Sequence, residues 1–169
     1  MGSPHTRIGL GLAAIGRPEY INIREHPDED KAESSYRQRA VDLLEFAYGQ
    51  GVRDFDTAAS YGKGEQFLKE WYDDERYPDV RLSSKWGYTY KANWEIGYQG
   101  PHEVKEHSLG KLQEQWSNAA DLLPGLKTYQ IHSATFESGV LCRNSYGRFG
   151  EWCESKGRHF SSGKDTGRR

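Results

Sequence analysis

Four polar residues stand where short apolar runs of this 169-residue chain stop: Asp56, Tyr61, Lys85 and His132. Their types suit one kind of chemistry. A tyrosine can donate a proton, but with an ordinary pKa of about 10 it is a modest acid whose phenolate is unstable at neutral pH. A nearby ammonium stabilises that phenolate, and a carboxylate beside the ammonium keeps it charged and oriented. A histidine with one N–H turned inward can hold a polarised oxygen. Together the four groups fit proton transfer to a carbonyl oxygen as negative charge develops on it. Each also has a plainer reading. Asp56 could cap a turn, Tyr61 is one of 11 tyrosines, Lys85 could reach solvent from a strand end, and His132 could be a half-buried imidazole.

The elements that must position them follow from periodicity. Ile8 to Gly16 reads as a short buried strand running into a tight loop, and residues 17–33, with Pro18 and Pro27, as loop. From Glu33, apolar residues recur at three and four, through Tyr36, Ala40, Leu44 and Ala47. Ser34 or Ser35 is the expected cap, and Gly49 or Gly51 the expected stop. Val52–Ala58 is the second expected strand, Gly64–Asp74 the second helix and Val80–Trp86 the third strand. Residues 87–100 read as a loop rich in Tyr and Trp. A third helix is expected from Pro101 to about Leu123, then a strand over Leu126–His132 and a short helix near Tyr146–Glu154. Strand and helix alternate four times, which indicates parallel strands with helical crossovers. A closed barrel of eight such units typically takes about 250 residues. The expected fold is therefore α/β, a TIM-type parallel (β/α) barrel truncated to about four units over residues 7–156. A polar tail, expected to be disordered, follows over 157–169.

Composition narrows the function classes. A net charge of −2 offers no case for gripping nucleic acid or an anionic membrane. Nothing approaches the length of a spanning apolar helix, and no secretory leader is evident, so a cytoplasmic setting is expected. Leu, Ile, Val and Phe together reach only about 17%, a thin supply for a core, which 11 Tyr and 5 Trp partly make good. Cys142 and Cys153 are too few for a disulfide scaffold and too poorly spaced for zinc.

The segment Asp56-Thr57-Ala58-Ala59-Ser60-Tyr61-Gly62 resembles the signature of the aldo/keto reductases, and Glu65 stands where that signature commonly carries a glutamate. Ser84-Lys85-Trp86-Gly87 resembles the family's lysine strand, and Tyr129-Gln130-Ile131-His132-Ser133 its histidine strand. Ile8 to Gly16 is similar to its opening strand, so the likeness spans about residues 7–145.

The resemblance implies an oxidoreductase that reduces an aldehyde or ketone with NADP(H), or with NAD(H), and needs no metal. Tyr61 would be the general acid, Lys85 would lower its pKa, Asp56 would pair with Lys85, and His132 would orient the carbonyl. Leu12, Ala13, Asp56 and Ser133 would meet the cofactor. Trp86, Tyr88, Tyr90 and Trp94 would wall a substrate pocket or, equally, pack beneath a long loop. Leu126-Lys127-Thr128 lacks the aspartate the family usually places before its histidine. The later strands that supply the family's nicotinamide-stacking ring and adenosine-phosphate clamp have no counterpart. Full activity is accordingly expected of a longer protein, with an inactive or regulatory reductase-like subunit as the alternative. Four parallel strands leave two edges open, so self-association is expected. A metal-dependent hydrolase using His102 and His107 is disfavoured, since strand-end histidine pairs are absent.

Overall fold

A computed structural model of the chain describes residues 8–19, 30–140 and 143–155. The parallel sheet is built from β1 (Gly9–Gly11), β2 (Asp54–Asp56), β3 (Arg81–Trp86) and β6 (Leu126–Ile131), adjacent in that order. Helices α1 (Glu33–Gly49), α2 (Gly64–Trp71) and α3 (Leu109–Leu122) follow β1, β2 and β3, and α4 (Arg143–Ser155) follows β6. The alternation expected from periodicity is therefore present.

Local chemistry sets the ends. α1 buries Tyr36, Ala40, Leu44 and Ala47, one stripe at helical spacing. Its start is held by Asp30, not by a serine cap: the carboxylate accepts the backbone N–H of Ala32 at 2.9 Å and the hydroxyl of Ser35. Gly51 supplies the left-handed turn after α1, with φ +91°.

The segment after β3 departs from expectation. Tyr88–Tyr90 forms a strand, β4, paired antiparallel with β5 (Glu103–Lys105), and α3 begins only after Ser108. Ser108 extends its backbone and accepts the N–H of Lys111, the usual helix-capping arrangement. Pro101 therefore lies in the hairpin loop before β5, not at a helix start. The β-compatible run Glu103-Val104-Lys105 finds a partner strand, and the cap chemistry sits further on.

Strand alternation divides the sheet into two faces. Leu82, Ser84 and Trp86 of β3 are buried against the helices, as is Phe55 of β2. Asp54, Asp56, Arg81, Ser83 and Lys85 occupy the other, concave face, where Thr128 and Gln130 of β6 align with Ser83 and Lys85. The main core lies between sheet and helices, around Leu12, Leu44, Phe55, Leu68, Trp71, Tyr77 and Leu123. Aromatics do make good the aliphatic shortage: Trp71 stacks on Tyr77 at 4.3 Å, and both donate to Glu45. Those bonds hold the Glu45 carboxyl below its ordinary value, while burial and Glu45 push the Tyr77 hydroxyl up to about 12. A second cluster, Trp86, Leu112, Val140 and Phe149, secures α3 and α4.

Among the described residues no helix is long and apolar enough to cross a membrane. Cys153 is a free thiol pushed up by burial, as an unreactive one would be. Cys142 and the tail expected over residues 157–169 lie outside the described residues.

Candidate active site

β2, β3 and β6 all run toward the same end of the sheet, so the residues at their C-terminal ends converge. Asp56 is the last residue of β2. Its Oδ1 accepts the Ser83 hydroxyl at 2.7 Å and its Oδ2 accepts Lys85 Nζ. The same ammonium donates to the carbonyl of Thr57 at 2.9 Å. It thus has two oxygen partners and lies 4.9 Å from the centre of the Tyr61 ring.

Tyr61 is placed by a tight turn. Its N–H donates to Ala58 O, and its carbonyl accepts the N–H of Gly64, both at 2.9 Å. Two glycines permit this. Gly62 has φ +58°, and a Cβ there would stand 2.3 Å from Gly16 O. A Cβ on Gly16 would stand 2.0 Å from Tyr61 O. The loop after β1 thereby presses directly on the tyrosine turn, sealed by Lys63 N–H to Gly16 O at 2.7 Å.

His132 follows β6. Its ring is edge-on to Tyr61, with centroids 5.5 Å apart, and 4.9 Å from the ring of Tyr88. Ser60 Oγ, fully buried, lies 3.4 Å from His132 Nδ1. Burial first, and the Lys85 charge second, hold the His132 imidazole below its ordinary value, so the neutral ring is favoured. Asp56, Tyr61, Lys85 and His132 are therefore one cluster: a carboxylate, an ammonium, a phenol and a neutral imidazole facing one another.

The expected cofactor and pocket residues distribute differently. The Leu12 side chain is wholly buried in the core, so only its backbone, bonded through N–H to Asp56 O at 2.9 Å, belongs to the site. Ala13 is half-buried in the turn that follows. Ser133 is exposed beside His132, with a left-handed φ of +49°. Tyr88 lines the site. Trp86 does not, because strand alternation sends it to the face opposite Lys85, where it is 2% exposed and packs on Phe149. Trp94 is also elsewhere, edge-on to Tyr36 and Phe67 with its indole N–H donating to Lys31 O at 3.0 Å. Tyr90 braces that loop, its hydroxyl accepting the Trp94 N–H at 3.2 Å.

Ser60, Ser83 and His107 are the residues that the motif reading passed over. Ser60 directly precedes Tyr61, and Ser83 stands two residues before Lys85 on the same face of its strand. His107, read as half of a metal-like pair with His102, instead has its Nε2 2.9 Å from the carbonyl of His132. Among the described residues no group of three His, Cys, Asp or Glu could hold a metal ion.

The sequence model of the aldo/keto reductase family matches residues 7–124. No curated protein sequence matches. Among solved structures, a candidate aldo-keto reductase from Pseudomonas aeruginosa superposes with a TM-score of 0.61 at 20% identity, over 87% of this chain and 49% of that one. A second structure, also of a candidate aldo-keto reductase from that bacterium, gives 0.60 and 20%, over 88% and 51%. The likeness is one of fold, and the chain spans about half the length of the structures it matches.

Proposed function

Because the chain belongs to the aldo/keto reductase family, we propose that it carries the proton-donating half of an NAD(P)H-dependent oxidoreductase that reduces an aldehyde or ketone to an alcohol. The observation that carries this reading is the Lys85 ammonium, bound by Asp56 and Thr57 O and facing the Tyr61 ring, with neutral His132 alongside.

A carbonyl oxygen seated between the Tyr61 hydroxyl and the His132 imidazole would accept a hydrogen bond from each. When the Ser60 hydroxyl, 3.4 Å from Nδ1, donates to it, the imidazole proton resides on Nε2 and serves as the second donor. As charge builds on the oxygen, Tyr61 gives up its proton and Lys85 stabilises the phenolate left behind. Asp56, itself steadied by Ser83, keeps Lys85 aimed. When bound, a reduced nicotinamide supplies the hydride for the carbonyl carbon. The residues present fit the reacting end of such a cofactor: the exposed Ser133 hydroxyl stands beside His132, and the Leu12–Ala13 backbone rims the other side of Asp56. We assign NADP(H) ahead of NAD(H), a small carbonyl substrate bordered by Tyr88, and a cytoplasmic setting.

The alternative is a reductase-like binding subunit without turnover. Denaturant unfolding followed by tryptophan fluorescence, with and without saturating NADPH, separates the two. A nucleotide that binds the native state raises its apparent stability. A cooperative transition moved to higher denaturant by NADPH, with carbonyl-dependent NADPH oxidation, supports the enzyme. A transition indifferent to NADPH favours the subunit reading.

A further inference from the structure

His107 lies between β5 and α3, just before the cap residue Ser108. A carbonyl carries no proton, so its 2.9 Å contact with His132 O requires the proton on His107 Nε2. The other ring nitrogen is buried and has no hydrogen-bond partner among the described residues. The ring stands edge-on to Trp86, centroids 5.4 Å apart. Its seat exists because residue 87 is glycine: with φ +106°, a Cβ there would lie 2.2 Å from His107 Cδ2 and 2.3 Å from Nε2. Gly87 is in turn fixed by Gln115, which accepts its N–H at 2.8 Å.

The carbonyl that His107 holds belongs to the peptide entering Ser133, whose φ of +49° is a left-handed backbone that non-glycine residues keep only when their surroundings hold it. The N–H of His132 donates to Trp86 O at 2.9 Å. Both backbone groups of His132 are therefore tied, one to β3 and one to His107. We propose that His107 is a positioning residue, which fixes the His132–Ser133 peptide and thereby holds the His132 ring against Tyr61 and Ser133 in its left-handed turn. This deepens, and rests on, the reading of His132 as the group that orients the carbonyl.

The charged and titratable groups around His132 are Lys85, Asp56, Glu103 and His107, with Tyr61 and Tyr88 in ring contact. The test uses the 169-residue chain with 15N-labelled imidazoles. In the unmodified protein, long-range proton–nitrogen spectra are expected to show His107 fixed as the Nε2–H tautomer. An Nδ1–H tautomer, or interchange between the two, overturns the proposal without any variant. His107→Gln keeps an N–H donor at similar reach, whereas His107→Phe keeps only a ring. The titration midpoint of His132 should stay low with Gln and rise toward the ordinary imidazole range with Phe. Equal midpoints in folded Gln and Phe variants overturn it. If the Phe variant does not fold, the tautomer decides alone. A fixed Nε2–H tautomer in a chain that never turns over a carbonyl would count against turnover by this chain alone and leave the positioning intact.

Discussion

Replacing Tyr61 with Phe removes one oxygen and leaves the ring that faces Lys85 and His132. Carbonyl-dependent NADPH oxidation should therefore fall about 10²- to 10⁴-fold, while the NADPH-induced shift in unfolding stays nearly intact. Wild-type turnover from Tyr61→Phe would show that another group gives the proton. The imidazoles make a second, pH-dependent prediction. His132 and His107 are both held below the ordinary value, chiefly by burial, so the unfolded chain takes up their protons first. Stability should drop as pH falls through the ordinary histidine range, from about 7.5 to about 5.5, and level off below the folded values. A urea midpoint followed across that window should show the drop, and His132→Asn should reduce it to the part that His107 supplies. Glu65 acts with the opposite sign. It is a half-buried carboxyl whose bond to Ser84 does not offset desolvation, so its folded pKa is raised and its contribution falls as pH rises. Glu65→Gln should therefore stabilise the chain at neutral pH and make no difference at strongly acidic pH, measured by the same unfolding. The Asp56, Tyr61, Lys85 and His132 cluster is legible in sequence because each residue ends or follows a strand. The same alternation rule rejects Trp86, since neighbours in one strand point to opposite faces. His107 is not legible, because its role depends on Gly87, 20 residues earlier, leaving room for its ring.

At the scale of elements, glycines separate what only supports a helix from what positions the site. Gly49 closes α1, and a Cβ there would touch nothing, so Gly49→Ala should stabilise by about 0.5–1 kcal/mol through helix propensity. Gly62 combines a left-handed φ with a close approach to Gly16, and an added Cβ would meet backbone. Gly62→Ala should cost more than about 1 kcal/mol and displace Tyr61. Urea unfolding of the two variants should thus move in opposite directions. Equal small effects would mean that the loop after β1 does not hold the tyrosine turn. The short parallel strands and the first two helices are readable from period and punctuation. The start of α3 is not readable from Pro101, because a proline suits a hairpin loop as well as a helix entry. The deciding feature is the β4–β5 pairing, a contact between segments that no local pattern joins. Ser108, three residues before Lys111, marks the true start.

At the scale of the molecule, four described strands form an open sheet whose outer members are β1 and β6. The concave face of that sheet is the one opposite the helices. The structure places polar groups there, many already partnered. Arg81 donates to both oxygens of Asp54, and Asp56 accepts Ser83 and Lys85. Such a face can stay wet at little cost, so the unpaired backbone of the edges, rather than this face, would drive association. Edge pairing is directional and sensitive to charge, which gives it a distinct signature. We expect sedimentation velocity of the 169-residue chain to show association that grows with concentration. Thr128→Lys, which adds a cation at an exposed position of edge strand β6, should return the chain toward monomer. Cooperative unfolding should be unchanged, because Thr128 lies on the concave face away from the core. A wild-type chain that sediments as a monodisperse monomer at all concentrations would show that these edges are too short to recruit a partner. Association that survives Thr128→Lys undiminished would move the contact to another surface.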